Sequence, residues 1–257
     1  MILVRSLAFN LYFWVLTAVL CIPGTVVRLV APERIMAVPV LWARLILGGL
    51  RVICGIRLKV LGEPHLPVSG PAIIASQHQS AFDIMVWLLL LPGCCYVIKK
   101  ELTYIPLFGG MIRPAGMIVV DRQAGPAAMR HLMREAERAK REGRQIVIFP
   151  EGTRARPGEP LPLRPGVAAM AARTMLPVIP VLTDSGQCWG RRAFLKRSGV
   201  IHVAVLPAIP AGTSREEIMS GLETAFRRSV SQVIPGVVDN SVSLTSVRLS
   251  GESNQAQ

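Results

Sequence analysis

The segment QHQSAFD places a histidine, His78, five positions before an aspartate, Asp83. Five residues of an ideal helix turn the chain by about 500°, which would point the two side chains well apart. They can meet only if the backbone changes conformation between them. Ser80 and Asp83 have the spacing of an acidic capping box that opens the apolar helix AFDIMVWLLLL. We therefore expect His78 in the loop before a helix and Asp83 in its first turn.

A histidine beside a carboxylate can act as a general base. An imidazole is largely neutral at pH 7 and can accept a proton, and a carboxylate on its far nitrogen fixes the tautomer. A serine hydrolase is not indicated, because the chain has no GxSxG motif and Ser80 serves as the cap. His78 would then deprotonate a hydroxyl of the substrate. The alternative is a loop histidine bonded to the backbone and an aspartate that only caps the helix.

The segment FPEGTR combines residue types that bind phosphate. Gly152 permits a tight turn, Glu151 accepts hydrogen bonds, and Arg154 offers a guanidinium fork that matches phosphate oxygens. Thr153 belongs to the same turn, and Arg122, the last residue of GMIVVDR, offers a second guanidinium at what we predict to be an adjacent strand end. Ligands of α/β proteins bind beyond the carboxyl ends of strands, so we expect these residues to converge with His78. A surface turn with solvated charges is the alternative.

The chain from about residue 60 alternates β-rich and helical patterns. The predicted strands are 72–75, 96–98, 117–120, 145–149, 178–182 and 200–206. The predicted helices are 80–91, 127–142, 166–174 and 214–230. This alternation predicts an α/β fold with a mostly parallel central sheet flanked by helices.

The N-terminal region is apolar and precedes this pattern. Residues 7–27 are long enough to cross a bilayer, and no small-residue cleavage site follows them as in a signal peptide. Arg44 and Arg51 lie on one face of a second apolar segment, which predicts an amphipathic helix at a membrane surface or one packed on the domain. We divide the chain into a membrane-associated helical segment 1–59, a catalytic domain 60–235 and a disordered tail 236–257.

Composition narrows the class of partner. Hydrophobic residues make up 51% of the chain and the formal net charge is +13, which favours an anionic membrane surface over nucleic acid. The five cysteines form no CxxC motif, so neither a zinc site nor a disulfide framework is predicted. The basic segment 191–197 is predicted either to bind anionic lipid or coenzyme A phosphates, or to be a solvated loop.

The order HQSAFD, KKEL with IPLFGG, GMIVVDR, FPEGTR and LPVIPV resembles the glycerolipid acyltransferase family over about residues 60–210. The resemblance implies transfer of a fatty acyl group from acyl-CoA or acyl carrier protein to the sn-2 hydroxyl of 1-acyl-glycerol-3-phosphate. It implies His78 as base, Asp83 as its orienting partner, and binding of the glycerol phosphate by residues 151–154 with Arg122. It also implies that Pro180 lies in a block linked to donor binding or catalytic structure.

The resemblance implies no metal and no cofactor other than the acyl donor as co-substrate. Its partners would be a lipid bilayer, lysophosphatidic acid and the donor, without nucleic acid, at a membrane with the catalytic domain facing the cytoplasm. The chain departs from the family at Gln77, where asparagine is usual, and at LRPG (163–166), where FKKG is frequent. An acyltransferase for another lysolipid and a catalytically silent lipid-binding protein are the alternatives.

Overall fold

A seven-stranded sheet organises the chain in the computed structural model, which describes residues 1–67, 69–159, 161–228 and 230. The predicted tail, 236–257, lies outside the described residues. The strands are β1 (Ile56–Leu61), β2 (Ile73–Ser76), β3 (Cys95–Lys99), β4 (Ile118–Val120), β5 (Ile146–Ile148), β6 (Val178–Thr183) and β7 (Gly199–Val205). Their spatial order is β1-β7-β6-β2-β5-β3-β4. Every neighbouring pair is parallel except β6 and β7, which confirms the predicted mostly parallel sheet.

Helices cover both faces of this sheet. They are α1 (Ile2–Val30), α2 (Ala37–Cys54), α3 (Phe82–Leu90), α4 (Gly109–Ile112), α5 (Pro126–Arg141), α6 (Gly166–Thr174), α7 (Ser185–Cys188) and α8 (Arg215–Phe226). Strand side chains alternate between the faces: Ile74 and Val147 pack with α1, α2 and α3, whereas Ile73 and Ile146 pack with α5, α6 and α8. Burial of both faces explains why these strands are continuous apolar runs.

Strand β1 was not predicted from the sequence. Gly55 ends α2 with φ +69, a left-handed conformation that turns the chain directly into this edge strand. Arg57 is exposed in this edge strand, and apolar and polar residues alternate only weakly along it. Such a segment is easily assigned to the helical region that precedes it. The predicted boundary between residues 59 and 60 lies inside β1. The N-terminal helices therefore continue straight into the sheet, and the three-part division of the chain stays a prediction.

The two N-terminal helices differ in how they contact the domain. α2 buries Ala43, Ile46 and Leu50 in the core and leaves Arg44 and Arg51 exposed, so its apolar face packs on the protein, the alternative that the sequence left open. α1 is 29 residues long and buries only four of them. Both helices are long and apolar enough to cross a membrane, a test that a buried core helix or a signal sequence also passes.

A buried lysine in the segment between β6 and β7 forms a hydrogen bond with α1. Lys196 is 3% exposed and donates from Nζ to Asn10 Oδ1 and to the Phe194 carbonyl, and Trp189 packs edge-on against Phe9. Burial lowers the pKa of Lys196. Part of the predicted basic loop is thus a structural contact with α1 and is not open to solvent.

Candidate active site

His78 and Asp83 meet at the carboxyl end of β2. The chain leaves the strand after Ser76, runs through a short loop that carries His78, and enters α3 with Asp83 as its second residue. His78 Nδ1 lies 3.2 Å from Asp83 Oδ2, and the backbone N–H groups of Gln79 and Ser80 each donate to that same oxygen at 2.7 Å. The loop therefore supplies the change of conformation that the five-residue spacing requires.

The predicted capping box is only half formed. Asp83 accepts the N–H of Ser80, as the reciprocal arm of such a box does. The Ser80 hydroxyl instead accepts the N–H of Phe82 at 3.1 Å, and α3 begins at Phe82 rather than at Ser80. Ser80 thus accepts the first N–H of α3 from one position before the N-cap residue Ala81, while the Asp83 carboxylate also holds the histidine.

The histidine loop packs against the FPEGTR turn. The backbone N–H of His78 donates to Glu151 Oε2 at 2.8 Å, and the N–H of Ala155 donates to the His78 carbonyl at 2.7 Å. The ring of Phe149 stacks on the imidazole with centroids 4.1 Å apart. These contacts form because β2 and β5 are neighbouring parallel strands, so the loops that follow them leave the sheet at the same edge.

Glu151 lies behind the loop and not on the wall of the cavity. It is 6% exposed, and its carboxylate accepts from the His78 backbone. The pKa of Glu151 is raised to about 8, chiefly by burial and also by the negative charge of Asp83, while the hydrogen bond from the His78 backbone opposes the shift. A carboxyl that stays protonated near pH 7 supports the loop without repelling an anionic ligand.

Arg122 and Arg154 are brought to the same rim from different strands. Arg122 Nη1 donates to the Gly152 carbonyl at 2.8 Å, across the turn that follows β5. Gly152 has φ +71, and a Cβ there would lie 3.2 Å from Arg122 Nη1, so the turn needs glycine both for its conformation and for this approach. The predicted adjacency of the two strands was wrong: β3 lies between β4 and β5, and Arg122 reaches the turn by its length.

A cavity of about 950 Å³ joins the rim to an apolar interior. His78, Arg122, Gly152, Thr153 and Arg154 contribute to its polar end. Its apolar wall comes from α1, α2 and α3 and from the segment 96–117, with Phe13, Leu20, Val38, Trp42, Met85, Leu88 and Met111 among its residues. The shape can accept a molecule with an anionic head and a long apolar chain. The sequence did not predict that the N-terminal helices would form this wall.

Two glutamines beside His78 position the loop, and only the first had been noted in the sequence. Gln77 Nε2 donates to the Phe226 carbonyl at 3.0 Å, and its Oε1 accepts from the Thr183 backbone at 3.1 Å. Gln79 Oε1 accepts from Gly186 at 3.1 Å. The sequence does show a glutamine on each side of the candidate base. It does not show what the glutamines bind, because their hydrogen-bond partners lie more than 100 residues away along the chain.

The remaining candidates lie apart from the histidine. Pro180 is buried within β6 and does not line the cavity. A second histidine–aspartate pair, His202 with Asp184 at 2.7 Å, does not line the cavity either. Among the described residues, no group of three or more histidine, cysteine, aspartate or glutamate side chains could hold a metal ion.

Comparisons with known proteins identify relatives of this chain. A family model described as Acyltransferase matches residues 57–184. The chain is 31% identical over 213 residues to a 1-acyl-sn-glycerol-3-phosphate acyltransferase of Pseudomonas aeruginosa, covering 81% of this chain and 82% of that protein. It is 32% identical to the human 1-acyl-sn-glycerol-3-phosphate acyltransferase alpha, with 84% and 76% covered.

A solved structure has the same fold. The crystal structure of the 1-acyl-sn-glycerophosphate (LPA) acyltransferase PlsC from Thermotoga maritima superposes with a TM-score of 0.72. The match covers 89% of this chain and 95% of the other, at 24% sequence identity. At that identity the comparison establishes the fold, whereas membership of the family rests on the relatives of 31% and 32% identity.

Proposed function

Because this chain belongs to the acyltransferase family, we propose that it transfers a fatty acyl group from a thioester to the sn-2 hydroxyl of 1-acyl-glycerol-3-phosphate. The product is phosphatidic acid and the leaving group is a thiol. The observation that carries the proposal is the position of the His78 imidazole: its Nδ1 lies 3.2 Å from Asp83 Oδ2 at the arginine-lined end of a largely apolar cavity. One end of that cavity suits a phosphate, and the other suits an acyl chain.

The proposed reaction needs one base. Asp83 holds Nδ1 of His78 protonated, so Nε2 carries the free electron pair that accepts the proton of the acceptor hydroxyl. The hydroxyl oxygen then attacks the thioester carbonyl and forms a tetrahedral intermediate. The intermediate collapses with cleavage of the carbon–sulfur bond, and the imidazolium returns the proton to the departing thiolate. The Asp83 carboxylate stabilises the imidazolium between the two proton transfers.

Arginines orient the acceptor in this proposal. Arg122 and Arg154 bind the phosphomonoester through charge-assisted hydrogen bonds, and Gly152 and Thr153 form the wall beside it. Glu151 acts behind them by holding the His78 backbone. A phosphate fixed at the rim fixes the glycerol next to it, which brings one hydroxyl within reach of the base.

The donor is acyl-CoA or acyl carrier protein, and we propose no further cofactor. The acceptor is dissolved in a bilayer, so we propose that the enzyme works at a membrane through its N-terminal helices. The catalytic domain faces the cytoplasm, where both thioester donors are found. Protease mapping in sealed vesicles tests this orientation: residues 60–228 should be protected in right-side-out vesicles and cleaved in inverted ones, and the reverse pattern would contradict a cytoplasmic domain.

The test of the activity is thiol release from acyl-CoA in the presence of lysophosphatidic acid by the purified chain. We expect release that depends on the acceptor and is lost in His78→Ala. His131→Ala is the matched control, because His131 lies on α5 and its side chain is not among those that line the cavity. Lack of acceptor-dependent release with acyl-CoA and with acyl carrier protein would refute the proposal and favour a silent lipid-binding protein.

The headgroup is tested separately. Lysophospholipids that carry a phosphodiester should be poorer acceptors than lysophosphatidic acid, because the esterified phosphate has one charge fewer for Arg122 and Arg154 to bind. Equal or better use of a phosphodiester acceptor would assign the chain to a related acyltransferase with another lysolipid.

A further inference from the structure

The rim of the cavity carries more positive charge than one headgroup can neutralise. Five arginines line it, namely Arg122, Arg154, Arg164, Arg191 and Arg192. Within the part of the chain that the structure describes, none of them forms an ion pair with a carboxylate within 4.0 Å. A phosphomonoester brings about two negative charges at pH 7. A second anion is therefore expected at the same rim.

The five arginines form two groups around different backbone positions. Arg122 donates to the Gly152 carbonyl, and the stem of Arg164 lies 3.6 Å from where a Cβ of Gly152 would be. Arg191 instead donates from Nη1 to the Arg154 carbonyl at 3.3 Å. Burial lowers the pKa of Arg154, the negative charge of Asp83 opposes the shift, and the positive charges of Arg191 and Arg192 add to it. Like charges are thus crowded at Arg154, which an anion would relieve.

The segment that carries the second group is held in an unfavourable conformation. Arg192 has φ +55, in the left-handed region that a residue with a side chain rarely adopts. The Ala193 N–H donates to the Gly190 carbonyl at 3.1 Å, and Lys196 ties the segment to α1. The contacts of this segment therefore hold the two arginines on the rim at some cost in backbone energy.

We propose that Arg191 and Arg192 bind the phosphate of the acyl donor's pantetheine arm. The inference rests on the proposed function, because it concerns the donor of that reaction. Coenzyme A and acyl carrier protein both present the acyl group on a pantetheine whose far end bears a phosphate. With the acyl chain in the apolar part of the cavity and the thioester at His78, the phosphate end must leave at the polar rim. Arg122, Arg154 and Arg164 remain for the acceptor.

The same loop provides a matched control. Arg197 is exposed and carries the same charge, but it does not line the cavity. Binding of a membrane's anionic headgroups would involve Arg197 as readily as its neighbours, whereas binding of a donor inside the cavity would not. The membership of Arg191 and Arg192 in the wall that contains His78 favours the donor.

The kinetic test compares Arg191→Gln/Arg192→Gln with Arg197→Gln. For a phosphate-bearing donor we expect the double variant to raise KM about tenfold or more, as lost charge-assisted hydrogen bonds do. With acyl-pantetheine, which has no phosphate, the two variants should behave alike, and KM for lysophosphatidic acid should stay within about twofold. A rise in the donor KM with acyl-CoA, with acyl carrier protein or with both identifies the source of the phosphate. An equal rise in KM for acyl-pantetheine, or a rise confined to KM for lysophosphatidic acid, would overturn the proposal.

A binding measurement separates this inference from the activity itself. Isothermal titration of the full chain with 4′-phosphopantetheine and with pantetheine requires no turnover. We expect the wild type to bind the phosphate-bearing compound more tightly, and the double variant to lose that preference while Arg197→Gln keeps it. An undiminished preference in the double variant, or none in the wild type, would refute the subsite even if acyl transfer is observed. Weaker binding of vesicles of anionic lipid, without this loss, would show that the loop contacts the membrane instead.

Discussion

One carboxylate oxygen holds both the histidine and its loop. Asp83 Oδ2 receives the N–H groups of Gln79 and Ser80 and lies 3.2 Å from His78 Nδ1. The other oxygen, Oδ1, is buried and has no hydrogen-bond partner among the described residues. The same carboxylate therefore positions the imidazole and the backbone of its loop. A substitution that keeps the hydrogen-bond acceptor but removes the negative charge can distinguish the two roles.

Asp83→Asn tests the charge. An asparagine oxygen can still accept the two backbone N–H groups, but the amide can no longer stabilise an imidazolium. We expect kcat to fall about 10³- to 10⁴-fold, with little change in KM for the acceptor. Steady-state thiol release measures both constants. A fall of less than tenfold at an unchanged unfolding temperature would mean that Asp83 only shapes the loop.

Glu151→Gln tests the raised pKa of the buried carboxyl. The unfolded chain loses this proton near pH 4.5, whereas the folded protein keeps it to about pH 8. Its contribution to stability is therefore fully present below about pH 4.5 and is lost as the pH rises through about 8. Glutamine resembles the protonated acid and can still accept from the His78 N–H.

We expect the unfolding temperatures of wild type and Glu151→Gln to be close at about pH 5. The wild type should then fall progressively below the variant up to about pH 9. Thermal unfolding followed by circular dichroism over this range measures the difference. Parallel curves for the two proteins would show that Glu151 is not protonated in the folded state.

At the scale of elements, the loop between β2 and α3 is fixed by parts of the fold that are distant in sequence. Gln77 joins it to the end of β6 and to the last residue of α8, and Gln79 joins it to α7. The FPEGTR turn supports its other side. The site is thus positioned by the carboxyl edge of three neighbouring strands, β6, β2 and β5, and not by the loop alone.

Gln77→Asn tests this connection with the residue that the family usually has. The side chain is shorter by one methylene and can no longer reach both Thr183 and Phe226. A buried group left unpaired should lower the unfolding free energy by about 1–3 kcal/mol. Urea denaturation measures it, with Gln187→Asn as the exposed control. Equal stability of the two variants would contradict a bracing role for Gln77.

At the scale of the whole molecule, the two faces of the sheet pack against different sets of helices. One face packs with α5, α6 and α8 into a core closed by charged outer helices. The other packs with α2 and α3 and carries α1, most of whose apolar side chains remain exposed, including Trp14 at 68%. At about 44 Å, α1 is longer than a bilayer's hydrocarbon core is thick. The cavity opens between α1 and α2 on one side and the carboxyl edge of the sheet on the other.

Trp14→Glu tests whether the exposed side of α1 contacts lipid. A carboxylate there should weaken cosedimentation with anionic vesicles about tenfold or more, because burial of a charge in lipid is costly. Met175→Glu is the control, since Met175 is 55% exposed beside α6 on the opposite face of the sheet. Unchanged vesicle binding by Trp14→Glu would place the membrane contact elsewhere.

The sequence by itself determined the class of fold and the identity of the candidate residues. Strand and helix periods are local properties, so six strands and four of the helices were predicted close to their observed bounds. The order of short motifs indicated the family, since each motif is a few consecutive residues. His78 and Asp83 were also found in this way, because they belong to one loop and the helix that follows it.

Only the tertiary structure decided what surrounds these residues. The order of strands in the sheet sets which loops meet, and local patterns do not encode it; hence β3 separates the two arginine-bearing strands, and Glu151 supports the histidine backbone instead of lining the cavity. The same holds for Gln77, whose partners are 106 and 149 residues away. The wall that α1 and α2 add to the cavity depends on packing between distant segments, where the free energy comes from shared burial rather than from neighbours in the chain.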